Sequence, residues 1–140
     1  MPLEPSCLFC KIIQGQIPCH KLHEDDHTLA FLDIGPLSTG HTLIIPKTHA
    51  VTLNDLDETH AAAIGRIAPK IGRAVQQATN TPGWNLLQNN GPVAGQVVMH
   101  VHFHIIPRNE NDKLGFRWPA GKLDDATAQQ LINNITNALK

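Results

Sequence analysis

Nine histidines occur in the chain, and three of them, His100, His102 and His104, fall within five residues in the run VVMHVHFHII. Side chains alternate faces along a β-strand, so on a strand these three imidazoles project from one side at intervals of about 6.5–7 Å. Val101, Phe103 and Ile105 then point to the other side, the natural core face. Apolar packing gives no reason to set three imidazoles on one sheet face. Three readings remain: solvated histidines on an edge strand, ligands of a metal ion, or covalent catalysis. For the last, a neutral imidazole is a good nucleophile near pH 7, because its ordinary pKa is about 6.5. It forms a phosphoramidate with phosphorus and divides one difficult displacement into two easier ones. One ring nitrogen must face phosphorus while a hydrogen bond fixes the proton on the other. A neighbouring histidine can hold a phosphate oxygen or manage the leaving-group proton.

The loop NNGPVAGQ at 89–96 runs directly into this strand. Gly91 and Gly95 allow close backbone approach and conformations other residues avoid. Such a loop can aim N–H groups at phosphate oxygens. It is no P-loop, since Gly-Lys-Ser/Thr is missing and a strand follows where a helix is required.

Cys7-x-x-Cys10 has the spacing of half a zinc site. A thioredoxin-like redox pair needs a strand before it, and only six residues precede Cys7. Two free thiols are the remaining reading, and Cys19 has no assigned role.

The elements that must position these groups follow from pattern. Segments 28–33, 41–45, 84–89 and 97–106 read as strands, rich in β-branched and apolar residues and bounded by Gly, Pro or Asn. Asp55 is a candidate cap for a long helix whose Ile64, Ile67, Ile71, Val75 and Ala78 recur at helical spacing. This stripe suits core or a subunit interface, and Pro69 within it predicts a kink. Asp124 or Asp125 caps a last helix, about 124–139, with Ala128, Leu131, Ile132, Ile135 and Leu139 on one face. Strands in series around one long helix predict an α+β domain on an antiparallel sheet.

Composition bounds the rest. The 140 residues, 41% hydrophobic and 16% charged, suit one globular domain over 1–140. Eleven basic against twelve acidic side chains leave a formal charge of −1, which argues against nucleic-acid binding. No signal peptide or membrane span is visible. Three cysteines, an odd number, suit a reducing compartment, and the cytoplasm is expected.

The run HVHFHII at 100–106 resembles the defining pattern of the histidine triad (HIT) superfamily. FLDIGPLSTGHTLIIPKTH at 31–49, FCKIIQGQIP at 9–18 and the 89–96 loop are similar to further segments of that family, in the same order. The likeness extends from about residue 7 to 107, and FRWPAGKLD at 116–124 is similar to bacterial and fungal members of the Hint-type branch. By that resemblance the fold is an antiparallel sheet with one long central helix and a C-terminal helix. His102 would be the nucleophile, His104 would contact the α-phosphate, and His41 would support the hydrogen-bond network. Asp33 would bind the ribose, and Phe9, Ile12, Phe31 and Ile34 would form the base pocket. Asn89, Gly95 and Gln96 would complete the phosphate cradle. Val97 stands where relatives often carry Ser or Thr, and so offers only its backbone N–H there.

The resemblance also implies a structural zinc ion held by Cys7, Cys10, His49 and His100, a closed four-ligand site without catalytic role. It implies a purine nucleotide substrate, with adenosine phosphoramidate hydrolysis first and dinucleoside polyphosphates second. A nucleotide-binding regulatory protein of weak activity is the alternative that Val97 motivates. A two-fold homodimer is expected, with the helix stripe and the TLIIP strand as its surface.

Overall fold

The computed structural model describes residues 2–115 and 118–140. Met1, Phe116 and Arg117 lie outside the described residues, so the first two positions of the FRWPAGKLD stretch are not placed. The elements run α1 (Leu8–Ile13), β1 (Lys21–Glu24), β2 (Thr28–Leu32), β3 (Thr42–Pro46), α2 (Glu58–Thr79), β4 (Gly83–Gln88), β5 (Phe103–Arg108) and α3 (Asp125–Ala138). The five strands form one sheet in the order β1-β2-β3-β5-β4, antiparallel throughout. This is the α+β architecture expected from the pattern. The short α1 and β1 are additions that no periodic signal marks.

Both faces of the central strands are covered, and strand alternation divides the work. Ala30, Ile44 and Ile105 pack against Ile64, Ile67, Ala68, Ile71 and Val75 of α2. Leu29, Phe31, Leu43 and Ile45 pack on the opposite face against Phe9 of α1. Fully burying each large aliphatic side chain contributes roughly 1.5–3 kcal/mol. That packing, and not propensity, holds α2, whose β-branched residues are mediocre helix formers.

Several expectations are corrected here. Asp57, not Asp55, caps α2, its carboxylate accepting the His60 N–H at 2.9 Å, while Asp55 ends a short 3₁₀ turn. The helix runs through Pro69 as one 22-residue element, with the proline on its solvent side. The α2 stripe and the TLIIP strand bury each other within the chain, so they are no free surface for a second copy. The last helix begins at Asp125 on an Asp124 cap, as expected, but its apolar face looks outward: Leu131, Ile132 and Ile135 are all about half exposed.

Helix α2 crosses β4 at Gly72, where a Cβ would sit 2.2 Å from the Trp84 ring. Gly72→Ala gains up to about 1 kcal/mol of helix propensity, but overpacking costs about 1–3 kcal/mol. We expect a lower melting temperature with altered tryptophan fluorescence. An unchanged melting temperature and spectrum would show that the indole has free room to swing aside.

Candidate active site and metal centre

A cavity of about 520 Å³ opens on the α1 face of the sheet. Every residue expected to bind nucleotide lines it except Gln96: Phe9, Ile12, Phe31, Asp33, Ile34, Asn89, Gly95, Val97, His102 and His104, together with His41. Its apolar lining includes Phe9 and Ile12 of α1, which cluster with Phe31 and Leu43. Its polar lining is Asp33, Asn89 and three histidines. Ile34 is 88% exposed and stands at the rim. Leu43 and Leu87 also line the cavity, and strand register explains them: both are the lateral partners of His104, on β3 and β4. Cys19, given no role from sequence, belongs to the same lining.

The expected strand over 97–106 is only half present. Of the three histidines only His104 lies on β5; residues 97–102 lie outside it, with a bend at 98–100. The bend arises because the His100 N–H bonds to the Val98 carbonyl and the Val101 N–H reaches the Ala50 carbonyl. The His102 and His104 rings stand 4.9 Å apart between centroids. His100, by contrast, is turned into the protein and is wholly buried.

Fixed backbone groups determine where the ring protons sit. The Leu37 N–H donates to His41 Nδ1 at 3.0 Å, on a loop held by the Ser38 hydroxyl donating to the Pro107 carbonyl. Neutral His41 therefore carries its proton on Nε2 and donates it to His104 Nδ1 at 2.9 Å. His104 must in turn carry its proton on Nε2. Burial pushes the His104 pKa down to about 4 and lowers that of His41 as well, so both rings are neutral at pH 7. His102 donates from Nδ1 to the His100 carbonyl at 2.7 Å. In the neutral ring this leaves Nε2 as the lone-pair nitrogen, and the ring lines the cavity. Phe9 meets this ring edge-on at 5.2 Å and so restrains its tilt.

The glycine loop adopts the strained geometry expected of it, with φ of 90° at Gly91 and 99° at Gly95. Its donors are used differently from expectation. The N–H groups of Gly95 and Gln96 bond inward to the carbonyls of Pro92 and Gly91. The Gln96 side chain is 3% exposed; it accepts the Gly91 N–H and donates to the carbonyls of Val51 and Val98. Gln96 thus braces the loop instead of lining the cavity. The reason is steric: a turn this tight buries the amide beneath it, where every polar atom needs a partner.

Below the cavity, Cys7, Cys10, His49 and His100 converge with their ligand atoms all within 4.8 Å of one another. His100 Nδ1 lies 3.3 Å from Cys7 Sγ and 3.6 Å from Cys10 Sγ, and His49 Nδ1 lies 3.5 Å from Cys10 Sγ. Tetrahedral zinc with ordinary Zn–S and Zn–N bonds spaces sulfur and nitrogen about 3.6 Å apart. Donor chemistry fits as well. His100 Nε2 donates to the Pro46 carbonyl at 3.1 Å, which leaves Nδ1 unprotonated and aimed at the sulfurs. Burial pushes the Cys10 thiol up to about 11, so a thiolate there requires a cation beside it. Asp33, His41 and His104 make a second close group, but the hydrogen bond between the two rings already occupies its facing nitrogens.

The neutral His104 has a consequence for acid stability. Its pKa falls from about 6.5 unfolded to about 4 folded. The unfolded chain therefore binds the proton more readily. This contribution is complete above about 6.5 and is lost as pH falls from there towards 4. We expect the urea midpoint to drop between pH 7.5 and 5, and His104→Asn to drop less. Equal drops in the two proteins would remove His104 from that linkage.

Residues 14–111, well over half of the chain, match the family model of the HIT domain. An adenylylsulfatase of Arabidopsis thaliana is 46% identical over 98% of this chain and 71% of its own length. An adenosine 5'-monophosphoramidase of Schizosaccharomyces pombe is 44% identical over 96% of this chain and 99% of its own. Among solved structures, a zinc-bound histidine triad family protein from Mycobacterium smegmatis superposes with a TM-score of 0.74 at 38% identity, covering 92% of this chain and 97% of that one. The continuous match, from just after α1 through the histidine run, makes this chain a member of the HIT domain family.

Proposed function

We propose that this protein hydrolyses adenosine nucleotides at the α-phosphate through a nucleotidyl intermediate on His102, with an adenosine phosphoramidate as the leading substrate. The observation that carries the reading is the hydrogen bond from His102 Nδ1 to the His100 carbonyl, 2.7 Å long, which commits the opposite nitrogen to attack. The base packs on Phe9, Ile12 and Phe31, with Ile34 at the rim. The ribose hydroxyls reach Asp33, whose Oδ1 already accepts the Gly35 N–H at 2.8 Å. That places the α-phosphate among His102, His104 and Asn89.

In the first step His102 Nε2 forms a bond to phosphorus, and the bond from phosphorus to the leaving group breaks, the departing nitrogen keeping the electron pair and taking up a proton from solvent. His104, protonated on Nε2 through its link to His41, donates to a phosphate oxygen without itself ionising. In the second step water bonds to phosphorus and gives up a proton to solvent, while the N–P bond breaks with its electron pair returning to His102 Nε2, releasing the nucleotide. The Val97 N–H, which has no acceptor among the described residues, is the loop donor left for phosphate. The names of the two curated relatives share an adenylyl group and differ in what is attached to it, which supports assigning the adenylyl side first.

Cys7, Cys10, His49 and His100 hold a structural zinc ion in this reading. Zinc ties the α1 segment to the sheet and takes no part in the chemical step. The zinc-bound relative supports it, as does the distance set. A homodimer is part of the proposal. Its surface is the outer edge of β4, paired on one side only and carrying the half-exposed Leu86, in place of the buried stripe. A reducing compartment suits three cysteines that form no disulfide. Among the described residues no helix is long and apolar enough to cross a membrane.

Two measurements test this reading. His102→Ala should abolish turnover of an adenosine phosphoramidate while AMP still binds, since the base pocket and loop remain. More than a few per cent residual activity would reject a covalent step at this residue. Metal analysis should find about one zinc per chain, as one four-ligand site requires, and none in the Cys7→Ser/Cys10→Ser double variant. Metal-free protein of unchanged stability would reject the zinc site.

A further inference from the structure

His100 belongs to two sites at once. Its ring faces both cysteine sulfurs through Nδ1 and is pinned to Pro46 through Nε2, and it is wholly buried. Its main-chain carbonyl, on the same residue, is the acceptor that sets the proton of His102. The chain is bent at 98–100 and joins the sheet ladder only at Phe103, so no strand pairing holds that carbonyl in place. What holds it is the His100 side chain, the bond from the Val101 N–H to the Ala50 carbonyl, and the bonds of the His100 N–H and the Gln96 amide to the Val98 carbonyl.

A second link runs through α1. This helix has six residues, too few to persist alone. Its N-cap is the Cys7 sulfur, which accepts the Cys10 N–H at 3.4 Å. Between the two cysteines, Phe9 projects edge-on to His102 at 5.2 Å and to His100 at 5.8 Å. The elements that carry the cysteines and His100 are therefore the same elements that orient the His102 ring, from above and below.

We propose that the Cys7–Cys10–His49–His100 centre is a positioning device for the nucleophile: metal bound there fixes the His102 ring and its tautomer, and metal loss releases both. The proposal rests on the zinc reading above and gives that ion a task the word structural omits. His100 is a positioning residue in it, and not a catalytic one. With the centre filled, the His100 carbonyl and the Phe9 edge admit one orientation, with Nδ1 protonated and Nε2 towards phosphorus. With the centre empty, α1 and residues 98–101 lose their shared anchor. The ring then turns about its broad terminal torsion, and the two tautomers interchange.

The test uses the full chain labelled with ¹⁵N-histidine, compared as zinc-loaded, chelator-stripped and zinc-restored protein, with His102→Ala assigning the resonance. In loaded protein His102 should show one protonated Nδ1 and one unprotonated Nε2. Stripping should average the two nitrogens and lower kcat by about tenfold or more, equivalent to at least ~1.4 kcal/mol of barrier, with a smaller change in KM. Adding zinc back should restore all three. An anchor acting on stability alone would lower the melting temperature and leave the tautomer and the kcat of folded protein untouched, which would overturn the proposal. Protein that never binds zinc would overturn it too, and would be recognised by metal analysis as failure of the zinc reading instead. His49→Gln guards against unfolding of stripped protein, because it keeps both cysteines and His100 while weakening the site. In that variant, kept folded by circular dichroism, kcat should rise with zinc occupancy across a titration. A kcat constant over that titration would overturn the coupling.

Discussion

An imidazole removed from water must remain neutral and must find a partner for each ring nitrogen, because an unsatisfied buried polar atom costs about 1–3 kcal/mol and a buried charge more. Four histidines of this chain meet at one end of the sheet, His41, His100 and His102 buried and His104 half-buried. Backbone groups of fixed polarity satisfy that constraint: the Leu37 N–H, the Pro46 carbonyl and the His100 carbonyl. None of these can reverse role, so each ring is left with one determined tautomer. The reactive lone pair of His102 and the outward proton of His104 are consequences of where three peptide groups point.

Around this network the sheet does two jobs with one alternation. Residues facing α2 are aliphatic and make a dry core, while their neighbours face α1 and the cavity. His104 is carried on the second face by the same register that carries Ile105 on the first. The site is thus built on a strand buried on both sides, with Leu43 and Leu87 walling His104 laterally. Rigid placement of this kind is what a two-step displacement on one nitrogen requires. The less regular parts, α1 and the loop at 89–102, supply what a strand cannot: a ring edge against the nucleophile, a bend that sends His100 the other way, and a backbone donor at Val97.

Much of this was legible in the sequence, and the reasons are local. Helical spacing of Ile64, Ile67, Ile71 and Val75 encodes a buried helix face whatever it packs against. Strand composition marked the four longer strands, and Asp124 announced the last helix. Residue types and spacing also marked the chemistry, since two cysteines three apart and histidines at alternate positions have few purposes besides metal binding or catalysis. Resemblance then assigned roles to the individual positions, and the cavity gathers all of the expected nucleotide residues but Gln96.

What only the tertiary structure decided is the identity of each partner, because that depends on groups far apart in the chain. His41 and His104 are 63 residues apart, and Cys7 and His100 are 93 apart. The bend at 98–100 depends on the Ala50 carbonyl as well as on the local bond from His100 to Val98, and no pattern within VVMHVHFHII contains Ala50. The inward turn of Gln96 depends on Val51, and the choice between Asp55 and Asp57 as cap depends on where the chain leaves a 3₁₀ turn. For the same reason the α2 stripe could be read as interface: periodicity says that a face is apolar, but not what covers it. Local sequence therefore determined which atoms were available for chemistry, and long-range packing determined which of them face one another.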